Sequence, residues 1–208
     1  MPIIDISHTI TDGMAGYPGD SAPRLVQTST HTSGGNMSSR LELSCHTGTH
    51  IDTPLHFRSG QPGLAELSLE TFCGQAIVLA ASAADIPGPL GAGLLNGVDL
   101  ATTDFVLLHT GWDRFWGSPR YYDSWPFLDL ELARLLSAAG LKGVGLDSPS
   151  VDPHEGREVH DLFAASGYVN IENLTNLATL PGHSFTFMAM PLKLAGTEAS
   201  PVRALALI

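Results

Sequence analysis

Residues 44–57 read Ser-Cys-His-Thr-Gly-Thr-His-Ile-Asp-Thr-Pro-Leu-His-Phe and place three of the chain's nine histidines, with an aspartate, inside eleven positions. Imidazole nitrogens and carboxylate oxygens are ligands for a divalent cation. Two imidazoles and one carboxylate leave a position free for water, the pattern of a catalytic zinc site rather than a closed structural one. Nitrogen and oxygen donors without thiolate suit zinc or manganese, and such an ion turns bound water into a nucleophile near neutral pH. His46, His50, Asp52 and His56 are all even-numbered, so in an extended segment they share one face, with Thr47, Thr49, Ile51 and Leu55 on the other. Alternating polar groups on a buried face need a partner. His56, four positions past Asp52 and just beyond Pro54, falls near the metal without having to bind it. An imidazole titrating near neutrality there suits a general acid or base.

The element that must carry this face is read as a strand from about Arg40 to Asp52, with regular pairing ended by Pro54. A helix would also bring His46 and His50 together, but Gly48, Pro54 and the β-branched Thr47, Thr49 and Ile51 disfavour it. Other apolar, β-branched runs bounded by Gly, Pro or Asp predict strands over Ile3–Ser7, Gln75–Ala81, Asp104–His109, Gly143–Asp147, Ser184–Met190 and Val202–Leu207. A helix is predicted over Leu130–Ala139, with Asp129 as N-cap, Gly140 as stop and a stripe of Leu132, Leu135, Leu136 and Ala139. A second covers Glu158–Ala165 and ends at Gly167. Strand, helix, strand over Asp104–Asp147 predicts a crossover unit. Gly13–Pro23 and Ile86–Gly97 read as loops; the latter lacks the Gly-Lys-Ser/Thr ending of a phosphate loop. The expected class is α/β: a mixed sheet with flanking helices in one domain over residues 1–208.

Composition narrows the partners. The chain carries 10 Lys and Arg against 21 Asp and Glu, a net charge of −11, and Lys142 and Lys193 are its lysines. No basic patch exists to neutralise a phosphate backbone, so nucleic acid is excluded as an expected partner, and an anionic membrane surface with it. Cys45 and Cys73 are too few for a disulfide framework or a Cys-rich zinc site. The N-terminal residues lack a signal-peptide pattern and no apolar run is long enough for a bilayer, so a cytoplasmic location is expected. No GxSxG elbow is present, and Cys45 and His46 would point to opposite strand faces. His160 in REVHDLF and Glu172 in NIENL are weaker candidates, open to plain surface roles. His109 and Asp147, at strand ends, are weaker still.

Taken together, HTGTHIDTPLH, IIDISHTI, YPGD at Tyr17–Asp20, LLHTGW, GLDSPSVDP, the His160-to-Glu172 spacing and SPVRALAL resemble the metal-dependent cyclase family, which includes arylformamidases and isatin hydrolases. That resemblance spans nearly the whole chain and implies a swivelling β/β/α fold. It implies His46, His50 and Asp52 as ligands of a first ion, His160 and Glu172 as later ligands, and Asp52 and Glu172 as bridges between two ions about 3.5–4 Å apart. His56 matches the family's general acid or base. It further implies homodimers or homotetramers. Where arylformamidases carry tryptophan to pack on an aromatic substrate, this chain has the smaller Tyr17. The aromatic run Trp112, Phe115, Trp116, Tyr121, Tyr122, Trp125 and Phe127 either lines a pocket for a ring-bearing substrate or anchors a loop or interface.

The expected activity is metal-dependent cleavage of a carbon–nitrogen bond in an aryl or cyclic amide. The alternatives are a lactone or ester hydrolase, a biosynthetic cyclase on the same site, and a non-catalytic metal-binding scaffold. A scaffold needs the ligands but not His56, which favours an enzyme.

Overall fold

The computed structural model describes residues 1–81 and 88–208. In chain order the strands are β1 (Ile3–Asp5), β2 (Arg24–Ser29), β3 (Ser38–Glu42), β4 (His50–Asp52), β5 (Cys73–Ala80), β6 (Pro89–Leu90), β7 (Phe105–His109), β8 (Phe127–Leu128), β9 (Gly143–Leu146), β10 (Val169–Glu172), β11 (Phe185–Pro191) and β12 (Ala199–Leu207). The helices are α1 (His31–Gly34), α2 (Leu130–Ser137) and α3 (Glu158–Ala165). Eight strands form one mixed sheet in the order β1-β12-β11-β5-β7-β9-β10-β4, and β4 pairs back onto β12, so the sheet curls closed. Neighbours among β5, β7, β9 and β10 are parallel and the other pairings are antiparallel. The mixed α/β class holds.

β7 shows how the sequence builds this arrangement. Its run Phe-Val-Leu-Leu is buried on both faces, as a central parallel strand must be. Phe105 and Leu107 point into the core enclosed by the sheet, with Ile51, Ile171 and Phe187. Val106 and Leu108 point the other way, onto Leu132, Leu136 and Phe163 of the helices. Gly145 lets the enclosed core close: a Cβ there would lie 2.7 Å from Leu107 and 2.8 Å from Leu174. The crossover β7–α2–β9 is parallel, as strand-helix-strand order predicts. Asp129 caps α2 by accepting from Leu132 N at 2.7 Å. Leu135, expected on the buried stripe, is exposed, because the helix buries the arc of Leu132, Ala133 and Leu136 instead.

One expectation fails in an instructive way. The predicted strand from Arg40 to Asp52 is two separate elements. β3 leaves the main sheet to pair with β2 in an exposed hairpin, and β4 begins only at His50. Between them the chain turns, with Thr47 N donating to Ser44 O at 3.1 Å. Gly48 adopts φ +67°, a left-handed conformation that breaks an extended run. Within the predicted loop Ile86–Gly97, Ile86 and Pro87 lie outside the described residues. The remainder contains β6 and a 3₁₀ turn at Ala92–Leu95. No helix among the described residues is long and apolar enough to cross a membrane.

Candidate metal centre

β4 and β10 form the floor of the site. Their antiparallel register places Glu172 opposite His50 and Asn170 opposite Asp52, so these four side chains share one face while Ile51 and Ile171 enter the core on the other. His50 Nε2 lies 3.5 Å from Asp52 Oδ1 and 3.5 Å from Glu172 Oε2. His46 reaches the same face through the reversal at Gly48, not through strand parity, and its Nδ1 lies 3.0 Å from Asp52 Oδ1. His56 arrives on a 3₁₀ turn, Pro54–His56, with its ring 4.4 Å from that of His46. Extended parity therefore misdescribes the route by which both residues reach this face.

His160 comes from α3, across the cavity. Asp152 both caps that helix and grips the imidazole. It accepts from Val159 N at 2.9 Å, from His160 N at 2.9 Å and from His160 Nδ1 at 2.7 Å. The remaining nitrogen, Nε2, lies 3.2 Å from Glu172 Oε1. This acceptor–imidazole–centre geometry orients metal-ligating histidines in general. Glu198 plays the same part for His46, at 3.3 Å from Nε2.

The electrostatics show what the face lacks. Burial opposes charge on His46, but the Asp52 carboxylate 3.0 Å away and the other nearby carboxylates outweigh burial and raise its pKa to about 9. His160 behaves alike: burial is overcome by Asp152 and Glu172, and its pKa also rises to about 9. Asp52 is held well below the usual carboxylate range despite complete burial, by His50 and His46. His56, open to the cavity, is lowered by desolvation and by the charges of His46 and His160, with Asp52 opposing.

The donor set fits a divalent cation. His50 Nδ1 lies 2.9 Å from the Gly48 carbonyl, which can only accept, so Nδ1 carries the proton and Nε2 presents a lone pair. That lone pair faces two carboxylate oxygens. Both His50 Nε2 and Asp52 Oδ1 are buried without a hydrogen bond, and such groups are costly to bury unless a cation lies between them. Two ligand-capable groups share Asp52, His46–Asp52–His56 and His50–Asp52–Glu172, with donor atoms within 4.8 Å of one another. The expected trio His46, His50 and Asp52 is thus divided between the two groups, and His56, expected beyond the ligands, falls inside one of them.

These groups line a cavity of about 290 Å³, walled also by Tyr17, Asp20, Phe57, Tyr122 and Ser150. The family model described as "Putative cyclase" matches residues 4–153. The chain belongs to the cyclase family. Among cyclase-family relatives, the kynurenine formamidase of Salinibacter ruber is 35% identical over 214 residues, covering 98% of this chain and 96% of that one. A structure described as a "predicted metal-dependent hydrolase" from Bacillus stearothermophilus is 28% identical, with a TM-score of 0.81 over 99% of this chain and 97% of that one. Isatin hydrolase A from Labrenzia aggregata, at 24% identity, shares the fold, with a TM-score of 0.86 over 100% of this chain and 93% of its own.

Within this cyclase-family frame the aromatic run divides. Of its seven residues only Tyr122 lines the cavity, facing Tyr17 edge-on at 6.4 Å. Trp112, Tyr121 and Trp125 are buried behind it as an anchoring block. Trp125 Nε1 donates to the Asp152 carbonyl at 2.8 Å, which ties that block to the residue holding His160. Asp147 fastens the neighbouring loop by accepting from Thr110 and Gly111 backbone N–H groups, and neither it nor His109 lines the cavity. Sequence reasoning gave no role to Asp152, Glu198 or Asn173. Asp152 carried one legible signal, its place in the GLDSPSVDP segment. Glu198 and Asn173 carried none.

Proposed function

We propose that this chain is a metal-dependent amidohydrolase that cleaves the carbon–nitrogen bond of an aryl or cyclic amide. The observation that carries the reading is the buried His50 Nε2, without a hydrogen bond and facing the carboxylates of Asp52 and Glu172, inside a cavity where two ligand-capable groups meet. His46, His50, Asp52, His160 and Glu172 would hold one or two ions of zinc or manganese, Asp52 as the carboxylate common to both groups and Glu172 as the one that reaches His50 and His160. A divalent ion there supplies Lewis acidity toward a carbonyl oxygen and lowers the pKa of water.

The remaining work belongs to the protein. Asp152, the Gly48 carbonyl and Glu198 fix the three imidazoles so that their other nitrogens converge on the carboxylates. Tyr17 and Tyr122 offer flat walls to a ring and orient the amide over the site. An amine is a poor leaving group unless protonated as the bond breaks. His56 is exposed to the cavity beside His46 and Asp52, and in this reading it takes a proton from attacking water and delivers it to the departing nitrogen. The proposed assembly is a homodimer or homotetramer, supported by the exposed apolar Leu25, Met37 and Leu41 on and beside the β2–β3 hairpin.

The test is hydrolysis of an aryl formamide such as N-formylkynurenine, of isatin and of an aryl lactone, by protein as purified, after complete chelation, and after return of zinc or manganese. Loss and recovery of amide cleavage is expected. Amide cleavage that survives complete metal removal overturns the proposal, and cleavage of the lactone alone moves the reaction to esters.

A further inference from the structure

Asn173 follows Glu172 directly and is 3% exposed. Its φ of +59° is left-handed, a conformation that asparagine tolerates better than most residues. From there it grips the His50 segment at two points. Its carbonyl accepts from Thr49 Oγ1 at 2.5 Å, and its Nδ2 donates to the Gly48 carbonyl at 2.9 Å. Gly48 O also receives His50 Nδ1–H at 2.9 Å. Two donors thus converge on one oxygen, which leaves Asn173 Nδ2 and His50 Nδ1 3.3 Å apart. Since a carbonyl accepts only, the same oxygen sets the orientation of the Asn173 amide and the tautomer of His50. The amide oxygen then points away, where fully buried Tyr121 donates its hydroxyl at 2.9 Å.

We infer that Asn173, locked by Tyr121, is a positioning residue that aims the Gly48 carbonyl at His50, holds the ring as its Nδ1–H tautomer, and so presents the Nε2 lone pair to the centre. The inference rests on the metal reading above but concerns a different bond. The anchoring block thereby acts on the site: Tyr121 fixes an amide, the amide fixes a carbonyl, and the carbonyl fixes an imidazole.

Asn173→Gly is the discriminating variant, because glycine keeps the left-handed backbone and the carbonyl that receives Thr49 while removing the amide. Two measurements on the whole chain decide. Nitrogen NMR of the metal-free protein reads the His50 tautomer, and competition with a chromophoric chelator reads zinc affinity. Expected are an Nδ1–H His50 in the wild type, mixed tautomers in Asn173→Gly, and zinc affinity lower by about ten- to a hundredfold. Tyr121→Phe should move both readouts the same way by less. If Asn173→Gly fails to fold, Asn173→Asp carries the measurement, since a carboxylate cannot donate to Gly48 O. An Nε2–H His50 in the wild type, or wild-type zinc affinity in the folded variant, overturns the inference. A wild-type protein that binds no zinc at all defeats the metal reading instead, and the tautomer measurement still decides this one.

Discussion

The chain buries imidazoles in two places and treats them in opposite ways. In the cavity, His46 and His160 lie among Asp52, Asp152, Glu172 and Glu198, and their pKa values rise to about 9. His8 instead lies flat on Trp116, ring centroids 3.9 Å apart and planes within 5°. Its Nε2 has no hydrogen bond, and burial drives its pKa to about 4 against the weaker pull of Asp113. Burial is common to both places, so it does not explain the difference. Carboxylates do. Where those carboxylates cluster, the cavity stabilises positive charge, as protons or as a metal ion, while His56 on its open side is held low by burial. The His8 position, by contrast, disfavours the charged ring.

The largest effect should come from removing the carboxylate that both ligand-capable groups share. Asp52→Ala is expected to lose metal, measured by elemental analysis, and roughly a thousandfold or more in kcat/KM on an amide substrate, because water is no longer activated. His46→Ala should empty one position, whereas Glu172→Ala should weaken both if Glu172 serves two ions. A wild-type content of one ion per chain that Glu172→Ala leaves unchanged would reduce the centre to a single ion.

Next in size is His56→Ala. If the residue moves protons, hydrolysis should fall by about a hundredfold or more while metal content and fold persist. The position of His56 inside a ligand-capable group makes the result decisive. Metal lost in proportion to activity would make His56 a ligand and leave proton transfer to another group.

How far these residues could be read from sequence follows from what fixes each one. The types and spacing within His46–His56 were enough to bring four metal-ligand types to one cavity, because that pattern is local. The strand drawn through them was wrong because Gly48 turns the chain at a positive φ, and glycine inside a strand pattern is itself a signal of a break. β10, four residues long, escaped notice, and with it the register that sets Glu172 opposite His50. α3 was legible from residue to residue. Asn173 acts on Gly48 from 125 positions away and Glu198 on His46 from 152. Contacts of that kind come into being only when the sheet closes, so no window of sequence contains them.

Smaller again is the contribution of the cavity's aromatic wall. Tyr17 packs edge-on against Tyr122 and Trp125 and stacks on His154 at 6.4 Å. Tyr17→Ala should raise KM for an aryl amide by up to about tenfold, the scale of one aromatic contact, with kcat little changed. Tyr17→Trp should keep or lower KM. A fall in kcat at constant KM would instead place Tyr17 in the chemistry.

The smallest effect returns to His8 and sharpens the contrast. Its pKa falls from 6.5 unfolded to about 4 folded, so the unfolded chain binds the proton more readily. The stability it contributes is fully present above pH 6.5 and is lost as pH falls toward 4. In metal-free protein His46 and His160 run the other way: raised to about 9, they contribute fully below pH 6.5 and lose that contribution as pH rises through 9. The two windows do not overlap, so thermal unfolding of metal-free protein across pH 4–9 separates them. For a chain of this size, about 1 kcal/mol moves Tm by about 2–4 °C, and solvent reaching part of the His8 ring keeps its effect at or below that scale. His8→Phe retains an aromatic ring against Trp116 and cannot charge. Its Tm should be flatter than wild type between pH 6.5 and 4 and should follow wild type above 6.5. An unchanged acid limb in His8→Phe would show that His8 is not held neutral by its burial.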